Sequence, residues 1–173
     1  RFATWMGHTL VAAGVAAGVC AVLAIVVAYA LRLNPGWPMR AASRVLTLGY
    51  AVPGTVLAVG VLLPLGAIDA SYADWRRSVT GVAPGLLLTG TIVALVYAYV
   101  VRYFAVAWNA VEPGFARITP AMDAAARSLG VGAAGTLVRV HAPLLVRSVA
   151  AALLLSFVDV MKELPATLIL RPF

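Results

Sequence analysis

The feature that most constrains this chain is a series of uncharged apolar blocks, each long enough to cross a lipid bilayer. Thr9 to Leu31, Val45 to Ile68 and Val79 to Val101 contain no Asp, Glu, Lys or Arg. At 1.5 Å per residue, about 20 helical residues cross a hydrocarbon layer about 30 Å thick. Blocks this long exceed an ordinary core helix, and they lack the alternation of barrel strands. A fourth span opens at Leu144 and runs to Val158, with Arg147 snorkelling to the near interface. The expected fold is all-α: a polytopic transmembrane helical bundle of four spans plus an incomplete fifth, carrying two short cytoplasmic helices.

Composition agrees. Of 173 residues, 63% are hydrophobic and 11% charged, against roughly 25% charged in a soluble domain. The net charge of +7 does not indicate nucleic acid, because the thirteen Lys and Arg residues are scattered between apolar blocks without a basic run. Cys20 is the lone cysteine, so neither an intrachain disulfide nor a cysteine metal cluster is expected. The first block is too long for a signal-peptide core and reads as a retained span. The chain starts at Arg1 without a methionine and stops at Phe173 without a closing feature, so a piece of a longer polypeptide is expected.

Between the spans, Arg32 to Arg44 reads as a short link containing Asn34-Pro35-Gly36 and Trp37-Pro38. Pro53-Gly54 and Pro64 are expected to bend or interrupt span two, since proline removes a backbone donor. Asp69 to Arg77 reads as a second polar link, and Arg102 as the point where span three leaves the hydrocarbon. Basic residues number eight on one side (Arg32, Arg40, Arg44, Arg102, Arg117, Arg127, Arg139, Arg147) and five on the other (Arg1, Arg76, Arg77, Lys162, Arg171). The positive-inside rule makes the first side cytoplasmic, placing the N-terminus outside and the long loop 108–143 inside.

That loop carries most of the functional information. Thr119-Pro120 is a helix start, with threonine at the cap and proline at the first helical position. A helix over Pro120 to Leu129 is predicted, closed by Gly130 at a left-handed cap, with Asp123 and Arg127 spaced for an i,i+4 ion pair. Ala121, Ala124, Ala125 and Ser128 fall on one face, a stripe of small side chains suited to docking. A second short helix is predicted to start near Thr136, with Pro143 resetting the chain at the foot of span four.

Ala124-Ala125-Ala126-Arg127-Ser128-Leu129-Gly130, then nine residues, then Val140-His141-Ala142-Pro143 resembles the "EAA" loop of ABC-importer permeases. The family pattern is E-A-A, three residues, G, nine residues, I, x, L, P, and the spacing matches from Ala125 to Pro143. Alanine stands at Ala124 in place of the family's acid, Asp123 lies one residue earlier, and Val140 and Ala142 replace Ile and Leu. The resemblance implies one permease domain over residues 1–173, with coupling helices in 108–143 that fit a separate ABC ATPase dimer. Asp123, Ala124, Ala125, Arg127, Ser128, Gly130, Val140 and Pro143 would carry that contact. A separate ATPase also fits the absence of a P-loop: the only lysine, Lys162, is followed by Glu163 rather than Ser or Thr. No cofactor is expected on this chain, ATP being bound by the partner.

Asp159, Lys162 and Glu163 interrupt the apolar run at the far end of span four, roughly 22–29 Å from Leu144 by helical rise. That depth predicts the outer edge of the membrane, with Pro165 stopping the helix. Phe157 to Thr167 and Leu170-Arg171-Pro172-Phe173 resemble the "KELPATL...LRPF" signature of ferric-iron importer permeases, and Tyr50 to Ala58 resembles their proline-glycine span. This resemblance implies a bacterial inner-membrane protein importing ferric iron, delivered by a periplasmic substrate-binding protein. It also implies a second permease half, to which this chain would be the C-terminal counterpart. Relatives in the same permease family carry thiamine, polyamines, sulfate or molybdate. Pro53, Gly54, Asp159, Lys162, Glu163 and Pro165 are the candidates for the translocation path.

Other chemistries fit less well. His8 and His141 have no Asp, Glu or Cys at metal-ligand spacing and read as structural or interfacial. Tyr97, Tyr99 and Tyr103 offer hard oxygen ligands in principle, but tyrosines near a span's end are more often interface anchors. Ser, His and acidic residues are too sparse to compose a catalytic constellation, so no enzyme is expected. A secondary transporter would bury a paired charge beside a broken span; Pro53-Gly54 supplies the break, but no charge accompanies it in sequence.

Overall fold

A computed structural model describes residues 2–82 and 85–170, with side chains from Trp5 onward. Every regular element among them is helical: α1 (Phe2–Leu33), α2 (Trp37–Thr47), a 3-10 turn (Leu48–Ala51), α3 (Gly54–Thr80), α4 (Ile92–Ala116), α5 (Pro120–Ser128), α6 (Ala133–Thr136), a π-helical turn (Leu137–His141), α7 (Ala142–Met161) and α8 (Pro165–Leu170). Four helical stretches are long and apolar enough to span a bilayer: Trp5–Leu33, Gly54–Thr80, Ile92–Ala116 and Ala133–Met161. Arg171-Pro172-Phe173, the end of the signature, lies outside the described residues.

The long helix α1 packs through small side chains. Ala12, Ala16, Cys20, Ala24 and Ala28 recur every fourth residue and are all buried, while Val11, Val15, Val19, Val22 and Val26 are exposed on the opposite side. A stripe of alanines brings backbones close, which is how helices associate where lipid offers no hydrophobic penalty. Helix α1 runs parallel to α4, since Cys20 lies against the carbonyl of Val100 and Arg32 against that of Phe115. The α7 helix runs antiparallel to α4. Gly114 makes that crossing possible: a Cβ there would meet Ser148 Oγ at 2.5 Å and Leu145 Cδ2 at 2.9 Å.

Several sequence boundaries move, each for a physical reason. The expected link Arg32 to Arg44 contains helix α2, and span two breaks at Val52-Pro53 instead of beginning at Val45. Pro64 remains inside α3 without ending it. Asp69 to Arg77 is not a link: it belongs to α3, whose 27 residues extend about 40 Å. Charge ended the apolar run there, but not the helix. The buried Asp69 carboxylate accepts hydrogen bonds from the amides of Leu87, Leu88 and Thr89 and from the Thr89 hydroxyl at 2.5–3.2 Å. It therefore satisfies the irregular segment that precedes α4. Helix α3 ends at Gly81, whose φ of 74° gives the left-handed cap.

Span three moves furthest. The helix covers Ile92–Ala116 rather than Val79 to Val101, so Trp108 to Ala116 forms its last turns and not the start of a hydrophilic loop. Arg102 consequently stands about 15 Å along α4, inside the bundle instead of at its exit.

Candidate functional site

Two clusters of polar side chains stand out, one within the bundle and one at the end where α1, α4, α5 and α7 meet. The inner cluster is built where interrupted segments converge. The 3-10 turn ends at Ala51 and α3 starts at Gly54, leaving a break at Val52-Pro53, and α7 stops at Met161 so that α8 restarts at Pro165. Arg102 reaches both breaks from the middle of α4. Its Nη1 donates to the carbonyl of Val52, and its Nε lies 3.1 Å from Glu163 Oε2. That Nε is buried and lacks the alignment of a hydrogen bond, so its attraction to the carboxylate is ionic.

Glu163 is fully engaged. Its side chain is 6% exposed, the Tyr103 hydroxyl donates to Oε2 at 2.5 Å, and the Ala166 amide donates to Oε1 at 3.2 Å. The last bond caps the start of α8. Thr167 hydrogen-bonds back to the Glu163 carbonyl and meets the Tyr99 hydroxyl at 2.6 Å. Gly54 completes the site, because a Cβ there would collide with Glu163 Oε1. A charge in the interior is expensive unless paired and hydrogen-bonded, and each partner of this pair has both kinds of support.

Of the path residues named from sequence, Gly54 and Glu163 come together, and Pro165 opens α8 beside them. Pro53 is exposed at the break. Asp159 and Lys162 remain apart from the cluster: they pair loosely at 3.9 Å with Lys162 72% exposed. Lys162 is exposed, Asp159 half-buried and Glu163 buried, because the chain leaves the helical path after Met161 and turns the glutamate inward; Pro165, expected to stop the helix, instead opens α8. Arg102, Tyr99, Tyr103 and Thr167 were not among the path candidates. Tyr99 and Tyr103 are buried within α4, not anchored at an interface. The expected absence of a charge beside Pro53-Gly54 is overturned as well, since Arg102 and Glu163 supply the pair from distant positions.

The second cluster holds α5. Helix α5 ends at Ser128, and Gly130 takes φ 75°, as its spacing predicted. Thr119 occupies the N-cap position, yet its side chain makes no capping bond. Ala121, Ala124, Ala125 and Ser128 are exposed, whereas Ala126 is buried. Asp123 does not pair with Arg127. It turns inward, with Oδ2 2.7 Å from Arg32 Nε and Oδ1 2.7 Å from His141 Nε2. Burial opposes its ionisation, but the hydrogen bonds from Arg32 and His141 outweigh that and hold its carboxyl below the usual range.

The surroundings fix both partners of Asp123. Arg32 also donates to the carbonyls of Phe115, in the last turn of α4, and Ile118, just beyond it, at 3.1 and 2.8 Å. His141 is fully buried, and its ring meets those of Tyr29 and Phe115 edge-on at 5.3 and 5.6 Å. The Tyr29 hydroxyl donates to Ala133 at 2.7 Å. The predicted second separate helix is not present: α6 begins at Ala133 and runs through the π-helical turn directly into α7. Val140 is half-buried in that turn, while Arg127 and Pro143 are exposed. No group of three His, Cys, Asp or Glu suited to a metal occurs among the described residues.

No family model matches the chain, and no curated protein matches it.

Proposed function

We propose that this chain is the membrane-spanning permease part of an ATP-driven importer of the bacterial inner membrane, coupled through α5 to a separate ABC ATPase. The single observation that carries the reading is the outward stripe Ala121, Ala124, Ala125 and Ser128 on a short helix at one end of the bundle. It falls in the segment whose spacing from Ala125 to Pro143 resembles the coupling loop. A face of small side chains admits close approach by a partner surface, and Gly130 lets the chain turn back at once toward α6. In this reading the path runs past the breaks at Pro53-Gly54 and Glu163-Pro165, where interrupted helices gather near the middle of the bundle, as they do around transport sites. Ferric iron is the proposed cargo, on the resemblance of residues 157–173; another small solute of the same permease family is the alternative. A periplasmic binding protein and a second permease half are the further proposed partners.

A second reading, a gradient-driven secondary transporter, is favoured by one specific observation: the buried Arg102–Glu163 pair beside the broken span two. The two readings separate in one experiment. Ferric uptake is measured in vesicles carrying the intact transporter, with ATP and the ATPase present, or with an imposed ion gradient alone. The permease reading expects uptake only with ATPase and ATP, abolished by Ala125→Trp or Gly130→Trp while the protein stays in the membrane. Uptake driven by a gradient without any ATPase would replace it with the second reading.

A further inference from the structure

Every acidic side chain of a surface docking helix is a natural contact for a partner, yet the one acid of α5 is spent inside the protein. Asp123 bridges Arg32, at the end of α1, and His141, in the π-helical turn that leads into α7, both at 2.7 Å. Arg32 in turn grips the end of α4 through the Phe115 and Ile118 carbonyls. A single carboxylate therefore ties α5 to the ends of three long helices. We propose that Asp123 is a positioning residue, an internal tether that makes α5 move as one body with α1, α4 and α7. The inference rests on the reading of α5 as the ATPase-docking helix.

The geometry supports a transmitting role over simple attachment. The apolar anchors of α5 are few: Ala126 is its one buried residue, and the helix has nine residues. With so little packing, rigid transmission depends on the polar links. The π-helical turn has a part in this, because an extra residue in the turn changes which side chain faces inward, and here it is His141 that is fully buried against Tyr29 and Phe115. Loss of the carboxylate would leave Arg32 and His141 without their partner and let α5 shift against the bundle. Motion imposed on α5 would then dissipate in the loop.

The test uses the intact transporter with its ATPase, in a Cys20→Ala background carrying spin labels at exposed positions. One pair joins Met122, exposed on α5 but outside the docking stripe, to Leu33 at the end of α1, and a second joins Met122 to Trp75 near the far end of α3. In the otherwise native protein, ATP is expected to change the 122–75 distance while the 122–33 distance stays within about 2 Å, the scale of a packed helix shift. With Asp123→Asn, ATP hydrolysis should persist, the 122–33 distance should change with ATP, and ferric uptake per ATP should fall at least about tenfold, within the range of ordinary coupling energies. Asp123→Glu should restore much of the uptake. Should Asp123→Asn not accumulate in membranes, Arg32→Lys carries the same test, keeping the charge but losing the fork. An unchanged 122–33 distance with native uptake per ATP in these variants would overturn the tether. ATPase that fails to bind, or ATP that leaves 122–75 unchanged in the native protein, would instead overturn the docking reading itself.

Discussion

The guanidinium of Arg102 and the carboxylate of Glu163 lie 3.1 Å apart between the break in span two and the break after α7. Neither charge has a helix neighbour to pair with, and each is held by the other together with one backbone group, the Val52 carbonyl for Arg102 and the Ala166 amide at the start of α8 for Glu163. Removing one partner of such a pair leaves a buried uncompensated charge, which costs about 3–5 kcal/mol. Arg102→Met and Glu163→Leu are each expected to lower the thermal unfolding midpoint in detergent strongly. The double variant should recover most of the loss, and a double-mutant cycle measures the coupling.

Gly54 touches the same carboxylate. Gly54→Ala places a methyl where Glu163 Oε1 now sits, so the glutamate must move away from Tyr103. Overpacking of this kind costs about 1–3 kcal/mol. Gly60→Ala, where nothing lies within 4 Å of the added methyl, should be close to neutral in the same unfolding assay and serves as the internal comparison.

The tether at Asp123 has a pH signature. Its folded carboxyl is held below the ordinary range by Arg32 and His141 against the opposing effect of burial, so it contributes stability that is complete above the unfolded carboxylate value near ~4. That contribution is lost as pH falls through the lower folded value. The stability gap between native protein and Asp123→Asn should therefore be constant from pH 7 to about 5 and narrow at more acid pH. Melting temperatures of both proteins across that range provide the check.

Asp69 organises the opposite end of the bundle. Asp69→Ala would strand the amides of Leu87, Leu88 and Thr89, at a cost of about 1–3 kcal/mol for a buried group left unsatisfied. Hydrogen exchange at those three amides should accelerate, while exchange in α1 and at Cys20 stays unchanged.

The membrane-helix character was legible in sequence because it depends on local composition. The four spanning helices follow from uncharged runs, and the end of α5 followed from Gly130. The helix boundaries were less legible, since hydropathy registers where charge begins and not where backbone hydrogen bonding ends. Asp69 sits inside α3 because distant amides satisfy it, and Arg102 sits inside α4 because Glu163 neutralises it. The inner cluster was half visible: Gly54 and Glu163 carry local signals, a proline-glycine break and a charge in an apolar run. Their partners Arg102, Tyr103 and Tyr99 come from another span, and no spacing rule along the chain connects them. Likewise Asp123 had an eligible partner at Arg127, but the desolvated contacts with Arg32 and His141 outcompete a solvent-exposed pair.

Site-specific photo-crosslinking from α5 in native membranes tests the central claim most directly. A photoreactive residue at Ala121, Ala124, Ala125 or Ser128 is predicted to capture an ATPase subunit from the cytoplasmic side, with a yield that changes on adding ATP. The same probe at Ala126, which is buried, should capture none. Equal labelling at all five positions, no captured ATPase at any of them, or modification of Ser128→Cys by an impermeant reagent from outside the cell would contradict the account.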